Sequence, residues 1–468
     1  MINALDAPEW LWQAIRDDLL STSPLERAGI GFAGISWQPS GRRLLLRDWA
    51  PVPADQYLAQ RVDYLQVSPA FWARHAKRAE ATGEALVIMH SHPGGTGIPD
   101  FSLADDRGEA QLIPKIRARA PVPVAAVVLS PGGEQARITR PADASEQMTV
   151  RLIGRRQDVA AGHPRSQRFD RQLRAFGEQG QATLARLAVG VAGAGGLGSH
   201  VIQQLVHLGI GRIMVVDPDR VTPSNLSRLV GASRLDATLR RPKTSVARRL
   251  SRRVGGPSRV TGLRRSVTDE EPARRLLDCD LIIGCTDNQW SRTVLNTLAY
   301  QYYVPVLDLG VELQAAGAMG GRVTWLAPGS ACLWCLKILD PQRVRAEQLP
   351  RQVAEEEASR GYIQGLDEPA PAVVSINGAI ASIAVTEVLA RATAFAGPGP
   401  RASQLMYRLS DGVVRRTFAR PGQACPTCSV SGQLGLADLG AAPWAAAPRA
   451  RRRARGMANA VFGQAKAS

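Results

Sequence analysis

The stretch ARLAVGVAGAGGLGSHVIQQLVHLGIGRIMVVDPD (residues 185–219) decides the fold of this 468-residue chain. It reads as a buried strand, a glycine-rich turn, a helix and a second buried strand, which is the β-α-β unit of a parallel sheet. The alternation continues with LDCDLIIGCTDN (277–288), a helix over 291–302 and the strand VPVLDLGVE (304–312). The sequence therefore predicts an α/β domain built on a doubly wound sheet.

The glycines of GAGGLG predict a nucleotide-phosphate site. Gly193, Gly195, Gly196 and Gly198 lie between a strand and a helix. There, glycine allows a tight turn and close approach of the nucleotide, and the helix N-terminus favours phosphate. Asp217 ends the next strand, where an acidic residue binds a ribose hydroxyl. This pattern alone would also fit a dinucleotide-binding dehydrogenase, so the surrounding motifs decide between the two.

Four further motifs surround the glycine turn: RFDRQ (168–172), DPDRVTPSNLSR (217–228), RRPKTSVA (240–247) and GCTDN (284–288). Over residues 166–430 the set resembles, in order, the activating-enzyme family of ThiF, the molybdopterin-synthase adenylyltransferase and the ubiquitin-activating enzymes. The resemblance implies a Rossmann-like ThiF-type adenylation domain that uses ATP and Mg²⁺. A dehydrogenase would explain the glycines and the first aspartate but none of the other charged residues.

The resemblance also implies a role for each charged residue of these motifs. Asp217 would bind the ribose, Asp219 would support its loop, and Asp287 would hold Mg²⁺. Donors and positive charge around the triphosphate would stabilise the charge that develops during transfer. The residues that would supply them, the last from a neighbouring subunit if the family's homodimer is kept, are Asn225, Arg228, Lys243 and Arg171.

A second constellation lies near the N-terminus, in HSHPGGTGIPDFSLADD (90–106), after the strand EALVIMH (84–90). His90 and His92 are two residues apart, so at a strand end both imidazoles point to one side. Asp105 follows at the start of a predicted helix. Two histidines and one aspartate can hold Zn²⁺ and leave one position for water, which is the arrangement of a hydrolytic site.

The order H-S-H-P, a short loop and S-x-x-D resembles the signature of JAMM (JAB/Mov34) metalloproteases. In LERAGIGFAG (25–34), Glu26 matches that family's upstream glutamate. The resemblance implies an α/β metallo-isopeptidase domain in which both histidines and Asp105 are ligands. Glu26 would be the general acid and base, and Ser102 would help to stabilise the oxyanion. Asp106 is an alternative ligand, but the spacing from Ser102 favours Asp105.

Four of the six cysteines form two C-x-x-C pairs, CLWC (332–335) and CPTC (425–428). Four thiolates would close the coordination sphere of a structural Zn²⁺, and the family resemblance also favours zinc. Redox activity of either pair is the alternative. The predicted ligands are Cys332, Cys335, Cys425 and Cys428.

The two remaining cysteines do not fit the acceptor cysteine that ubiquitin-activating relatives carry after their first zinc pair. Cys279 and Cys285 lie in or at the end of a predicted buried strand, and no cysteine stands between Cys335 and Cys425. We therefore expect the reaction to stop at an acyl-adenylate that passes to an external nucleophile. A sulfide donor and the cysteine of a separate conjugating protein both fit, and a local serine or threonine acceptor stays open.

Composition limits the setting in which this chain works. Hydrophobic residues make up 45% of the chain and the formal net charge is +17. No apolar run reaches about 18–20 residues and the N-terminus has no signal-peptide pattern, which favours a cytoplasmic protein. Because the basic residues are spread along the chain, an acidic protein partner is favoured over nucleic acid.

The expected organisation has four parts. Residues 1–150 form the JAMM-type domain, 151–166 a linker, 167–430 the ThiF-like domain, and 431–468 a disordered tail rich in alanine and arginine. Joined, the two enzymes would adenylate the C-terminal glycine of a ubiquitin-like protein and trim or deconjugate that protein. Activation of a sulfur-carrier protein for cofactor, cysteine or tRNA thiolation is one alternative. A tRNA-modifying adenylating enzyme is another.

Overall fold

Two β-structures organise the chain in the computed structural model. A closed barrel is built from residues 2–153, here called the barrel domain, and an eight-stranded sheet lies in residues 167–444, here called the sheet domain. The structure describes residues 2–21, 24–139, 145–153, 167–313, 319–360, 371–393, 395–397 and 401–444.

The barrel domain has helices on both faces of its strands. One apolar cluster joins α1 (Glu9–Leu19) to the strands, and a second joins α2 (Pro69–Thr82) and α3 (Leu103–Arg119) to the opposite face. The strands close in the order β1-β3-β2-β6-β7-β8-β9, and β4 pairs with β5 outside the barrel. The strands are β1 (Ile2–Pro8), β2 (Ala28–Gln38), β3 (Gly41–Pro51), β4 (Tyr57–Gln60), β5 (Leu65–Val67), β6 (Ala85–Ser91), β7 (Val124–Ser130), β8 (Gly133–Thr139) and β9 (Ser145–Ile153).

The barrel extends past the boundary predicted at residue 150. β9 pairs with β8 and with β1, and its last pair joins Ile153 to Pro8. Residues 151–153 therefore belong to the barrel, which corrects the linker prediction at its first three positions. The polar character of β9 hid this strand, because only one face of an antiparallel strand needs apolar residues. Residues 154–166 lie outside the described residues.

The sheet domain combines a parallel half with an antiparallel half. The strand order is β12-β11-β10-β13-β14-β15-β16-β17, with parallel pairs from β12 to β14 and antiparallel pairs beyond. The predicted β-α-β alternation is confirmed, and the antiparallel extension adds to it. The strands are β10 (Ala188–Ala192), β11 (Arg212–Val216), β12 (Arg259–Leu263), β13 (Leu281–Gly284), β14 (Val306–Leu313), β15 (Met319–Leu326), β16 (Gln404–Arg408) and β17 (Val413–Thr417).

Helices cover the sheet. They are α4 (Asp170–Arg186), α5 (Gly196–Leu208), α6 (Arg234–Thr238), α7 (Lys243–Val254), α8 (Glu270–Leu276), α9 (Gln289–Gln301), α10 (Pro341–Gln348), α11 (Arg351–Ser359) and α12 (Val374–Ala392). Among the described helices, α12 alone is long and apolar enough to cross a membrane. Its Ile380, Ala381 and Ala384 are fully buried in one apolar cluster with residues of α5 and β14, so packing inside the domain accounts for its composition.

The segment after the second cysteine pair lies where the sheet domain meets the barrel domain. Leu434, Ala437 and Trp444 are buried in the same apolar cluster as Leu45 of the barrel. The backbone of Ala437 forms a β-bridge with that of Ile35. This corrects the disordered tail predicted from residue 431: residues 431–444 are packed, because Leu434, Ala437 and Trp444 enter a core. Residues 445–468 lie outside the described residues.

Candidate active sites

The two predicted histidines and the aspartate meet at the end of β6. The Nε2 atoms of His90 and His92 are 3.3 Å apart. His90 Nε2 lies 3.0 Å from Asp105 Oδ1, and His92 Nε2 lies 3.5 Å from Asp105 Oδ2. Tetrahedral Zn²⁺ with nitrogen ligands at 2.0–2.1 Å would separate them by about 3.3 Å, so this trio fits the ion.

Local structure explains how the sequence brings these three side chains together. All seven residues of β6 are buried, and strand alternation turns both histidines to one side while Ser91 accepts a hydrogen bond from the Arg27 backbone on the other. Asp105 is the third residue of α3. Its Oδ2 accepts a 2.6 Å bond from the backbone N–H of Ser102, which leaves Oδ1 directed at His90.

Asp106, the alternative ligand, points elsewhere. Its carboxylate pairs with Arg137 of β8 at 2.7 Å. The same guanidinium pairs with Glu109 and lies 3.8 Å from the ring centroid of Phe101. The structure thus brings Asp105, not Asp106, to the histidines, as the spacing from Ser102 predicted.

Glu26, two residues before β2, faces the histidine pair. Its Oε1 lies 3.7 Å from His92 Nε2, and the residue is only 6% exposed. Burial raises the pKa of Glu26 to about 6, although both neighbouring histidines lower it. A carboxylate with a pKa near neutrality can both take and return a proton, which suits a general acid and base.

Ser102 caps α3. Its hydroxyl oxygen accepts a 3.2 Å hydrogen bond from the backbone N–H of Asp105. The hydroxyl proton is not used in that bond, so the serine can still donate to a substrate oxygen. The role in stabilising an oxyanion stays a prediction.

The glycine turn of the sheet domain is tightly packed at two of its glycines. Gly193 has a φ of +94°, and a Cβ there would lie 2.6 Å from the carbonyl oxygen of Cys285. A Cβ on Gly198 would lie 1.9 Å from the carbonyl oxygen of Gly193. Both positions therefore admit only glycine, whereas Gly195, the N-cap residue of α5, has open space around it.

Asp217 and its neighbours lie directly against this turn. Asp217 accepts hydrogen bonds from the backbone N–H of Ala194 at 2.6 Å and of Asp219 at 2.8 Å. Burial raises the pKa of Asp217, and the nearby Lys243 ammonium opposes the rise. The Lys243 ammonium forms a 2.8 Å ion pair with Asp219. Asp217, Asp219 and Lys243, all predicted around the nucleotide, are thus neighbours at this turn.

The remaining predicted donors lie in one short segment. In the turn Pro223–Asn225, Asn225 Oδ1 accepts from the backbone of Thr222, so this side chain shapes the turn. Arg228 donates to the Ser224 carbonyl at 2.9 Å. A Cβ on Gly196 would lie 3.1 Å from the Cδ atom of Arg228. The structure therefore brings Arg228 to the glycine turn.

The last two predicted residues are both exposed. Asp287 follows Cys285 and Thr286, and a Cβ on Gly193 would lie 3.3 Å from the backbone nitrogen of Thr286, so the loop that carries Asp287 borders the glycine turn. Arg171 lies in the first turn of α4. Its predicted action on a neighbouring subunit stays a prediction.

A buried charge cluster beside this loop was not predicted from the sequence. Asp308 of β14 is 1% exposed and pairs with Arg292 at 2.9 Å and with Arg322. A signal was present, because Asp308 is an aspartate in the otherwise apolar strand VPVLDLGVE. A carboxylate at such a position needs a buried cationic partner.

The four predicted cysteine ligands converge. Three pairs of their Sγ atoms are 3.6–3.7 Å apart, and all four atoms lie within 4.8 Å of one another. Tetrahedral Zn²⁺ with Zn–S bonds of 2.3 Å would give about 3.8 Å. The backbone N–H of Gly422 also donates to Cys335 Sγ at 3.4 Å, which stabilises a thiolate. The cluster can hold a metal and leaves no open position.

The two other cysteines are unsuited to nucleophilic attack. Burial raises the pKa of the Cys279 thiol to about 12 and raises that of Cys285 further. Cys285 packs beneath the glycine turn, where its Cβ atom lies 3.4 Å from the position of a Cβ on Gly198. Because the thiolate is the reactive form of cysteine, burial disfavours attack by either residue.

Comparison with known proteins identifies relatives of both domains. Residues 169–430 match the model of the ThiF family, and residues 8–142 match the model of prokaryotic homologs of the JAB domain. Molybdopterin-synthase adenylyltransferase of Escherichia coli K12 is 34% identical over 176 residues, which are 37% of this chain and 68% of that protein.

Two further relatives align with shorter shares of their own length. Sulfur carrier protein ThiS adenylyltransferase of Bacillus subtilis is 31% identical over 171 residues, covering 36% of this chain and 50% of that protein. SAMP-activating enzyme E1 of Haloferax volcanii is 30% identical over 160 residues, covering 34% and 57%.

Proposed function

This chain belongs to the ThiF family and carries a domain of the prokaryotic JAB homologs ahead of its ThiF domain, and on that premise we propose that it activates a ubiquitin-like or sulfur-carrier protein. The sheet domain would adenylate the C-terminal glycine of that protein with ATP. The observation that carries this proposal is the set of contacts at the glycine turn. Asp217 and Arg228 lie against the turn, the loop of Asp287 borders it, and Lys243 pairs with Asp219 beside it. The names of the relatives, which act on sulfur carriers, on molybdopterin synthase and on SAMP proteins, support the substrate class.

The residues around the turn divide the work of adenylation. The terminal carboxylate of the carrier attacks the α-phosphate of ATP, and pyrophosphate leaves. Lys243 and Arg228 would face the triphosphate, and for Lys243 this means exchanging its partner Asp219 for phosphate. Asp287 would hold the Mg²⁺ that neutralises the departing pyrophosphate. Asp217, already fixed by two backbone N–H groups, would bind the ribose.

We propose that the acyl-adenylate then leaves for an external nucleophile. Cys279 and Cys285, the cysteines outside the cluster of four, have raised pKa values because they are buried. A conjugating protein's cysteine would make the pathway ubiquitin-like, and a sulfide donor would make it sulfur transfer. Two of the relatives are named for sulfur carriers or molybdopterin synthase, which favours sulfur transfer as the second candidate.

The barrel domain would cut the same carrier ahead of activation or release it from conjugates. Water activated on Zn²⁺ held by His90, His92 and Asp105 is the chemistry that this site would supply when loaded. Glu26, at 3.7 Å from His92, would take a proton from that water and deliver it to the leaving amine. A covalent link between the two domains would raise the local concentration of each product for the other site.

The test of adenylation is ATP–pyrophosphate exchange by the full chain with candidate carriers that end in glycine. We expect exchange with a free terminal glycine and at least a hundredfold loss in Asp287→Ala, because a metal ligand is removed. Asp411→Ala is the matched control, since Asp411 is an exposed aspartate in the turn between β16 and β17. Absence of exchange with every carrier, with ATP binding intact, would overturn the proposal.

The test of trimming uses the same carriers with residues added after the glycine. We expect cleavage after the glycine, and a loss of about 10²–10⁴-fold in Glu26→Gln, which keeps the shape but cannot accept a proton. Glu80→Gln is the control, because Glu80 is exposed on α2 and pairs only loosely with Arg119. Equal cleavage by both variants would exclude Glu26 as the general base.

A further inference from the structure

The buried cluster around Asp308 lies at the carboxyl edge of the parallel strands, beside the loop that carries Asp287. Asp308 is paired in the sheet with Gly284, the last residue of β13. The loop of residues 285–288 follows that glycine directly and leads into α9. The cluster and the loop therefore share one corner of the sheet.

Asp308 binds one guanidinium from each side. Both of its carboxylate oxygens accept 2.9 Å hydrogen bonds from Nη1 of Arg292 on α9. Nη1 of Arg322 on β15 pairs with the same carboxylate and also donates to the hydroxyl of Thr324. Arg322 is thus fixed by its second contact with Thr324, and Arg292 by its place on α9.

Burial of this cluster is costly, which calls for a reason beyond stability. Arg292 is 9% exposed and Asp308 is 1% exposed, and two guanidinium groups share one carboxylate. Burial lowers the pKa of Arg322 despite the carboxylate beside it. Buried ion pairs often stabilise no more than apolar residues of the same size would.

Arg292 connects the cluster to the loop. Its Nη2 donates to the carbonyl oxygen of Thr286 at 2.8 Å, and its backbone N–H donates to the carbonyl oxygen of Asn288. Asn288 in turn caps α9 by accepting from the Ser291 backbone. The residues on both sides of Asp287 are therefore held by Arg292, and Asp308 orients the guanidinium.

From these contacts we infer that Asp308 is a positioning residue, which acts through Arg292 to hold Asp287 in the orientation that binds Mg²⁺ with ATP. The inference rests on the proposed adenylation function. It assigns a task to an aspartate that none of the family motifs includes. The side chain would act without touching nucleotide or carrier.

The experiment measures the Mg²⁺ concentration for half-maximal exchange and, separately, for half-maximal binding of a non-hydrolysable ATP analogue. Asp308→Asn keeps the shape and loses the charge. Loss of an outer contact of a metal ligand costs about 10–100-fold in metal affinity or activity. We expect the Mg²⁺ midpoint to rise at least tenfold in both assays, with most of the rate restored at saturating Mg²⁺.

Asp6→Asn is the matched control. Asp6 is also fully buried between two arginines, Arg43 at 2.8 Å and Arg151 at 2.7 Å, but in the barrel domain. We expect it to lower the unfolding temperature without moving the Mg²⁺ midpoint. Arg292→Lys provides a second variant if Asp308→Asn does not fold. Lysine keeps the charge but has one nitrogen in place of the two that contact Asp308 and the Thr286 carbonyl.

An unchanged Mg²⁺ midpoint in the folded variants would overturn the inference and leave adenylation intact. If the wild-type chain gave no exchange with any carrier, the proposed function would fail instead. The analogue-binding assay would then still decide on Asp308, because it needs no carrier protein.

Discussion

The carboxylate of Asp438 accepts a 2.7 Å hydrogen bond from the backbone N–H of Trp37, although 401 residues separate them. Its other oxygen accepts from Arg274 at 2.9 Å and from the Tyr302 hydroxyl at 3.0 Å. Trp37 lies in β2 of the barrel domain, whereas Arg274 and Tyr302 belong to the sheet domain. One side chain in the packed C-terminal segment therefore links both domains.

Asp438→Ala should loosen this junction. The carboxylate makes three hydrogen bonds, two with charged or buried partners, and we expect a loss of about 1–3 kcal/mol in the free energy of unfolding. Urea denaturation measures the loss in the free energy of unfolding. Limited proteolysis should cut the variant faster than the wild type. Asp411→Ala, in an exposed turn, should change stability by about 0.5 kcal/mol or less. Equal midpoints for both variants would contradict the linking role.

Metal content should separate the two clusters. Both ligand sets fit Zn²⁺, so we expect about two ions per purified chain. His90→Ala and Cys428→Ser should each retain about one, because the sites share no ligand. Cys279→Ala should retain both, since that thiol is buried elsewhere. Metal analysis of the wild type and the three variants measures these zinc contents. A wild type that held only one ion would contradict the proposed role of one of the two clusters.

Removal of the metal from the cysteine cluster should also destabilise the junction. Cys425 and Cys428 share an apolar cluster with Leu434 and Ala437, which contact the barrel. We therefore expect Cys428→Ser to increase proteolysis in residues 431–444, whereas His90→Ala should not. Identical digestion patterns would show that the segment holds its place without the metal.

Asp236 should give the sheet domain an acid-sensitive contribution to stability. Hydrogen bonds from Arg249 hold the pKa of Asp236 well below its usual range. A depressed pKa contributes stability above the unfolded value of about 3.9, and that contribution is lost as pH falls toward the folded value. Asp236→Asn should cost about 1–3 kcal/mol at pH 7. The difference from wild type should shrink below about pH 4.

Urea denaturation of both proteins at several pH values measures this difference. Asp411→Asn serves as the comparison, because its carboxylate is exposed. A gap between wild type and Asp236→Asn that stayed constant from pH 7 to 3 would mean that the effect does not come from the charge.

Gly193→Ala should destabilise the glycine turn. The residue has a φ of +94°, and the added methyl group would lie 2.6 Å from the Cys285 carbonyl oxygen. We expect a loss of about 1–3 kcal/mol. Gly108→Ala, in an open position on α3, should instead gain about 0.5–1 kcal/mol. Thermal unfolding of the two variants should therefore shift in opposite directions.

Sequence patterns predicted the parts of the fold that depend on local chemistry. The stretch over residues 185–219 carries apolar runs and glycines whose strand and helix types follow from neighbouring residues alone. The structure places Asp105 rather than Asp106 beside the histidines for the same reason, because a three-residue spacing from Ser102 fixes which carboxylate faces the helix cap.

The parts that failed depend on contacts between distant segments. The polar strand β9 is defined by pairing with β1 and β8, and nothing in its own composition shows that pairing. The buried arginines of the barrel belong to the same class. Arg47 donates to the carbonyl oxygens of Leu434 and Val430, partners that lie more than 380 positions away.

This separation in sequence determines the order in which the contacts of the barrel can form during synthesis. Ribosomes produce the barrel first, and Arg47 then has Glu84 as a partner but lacks the backbone acceptors at Leu434 and Val430. Leu45 likewise lacks part of its apolar cluster until Ala437 has been synthesised. The nascent barrel must therefore keep an unfinished, partly apolar surface until the last described residues emerge. Chaperone demand should fall when translation reaches this segment, and chains released earlier should aggregate.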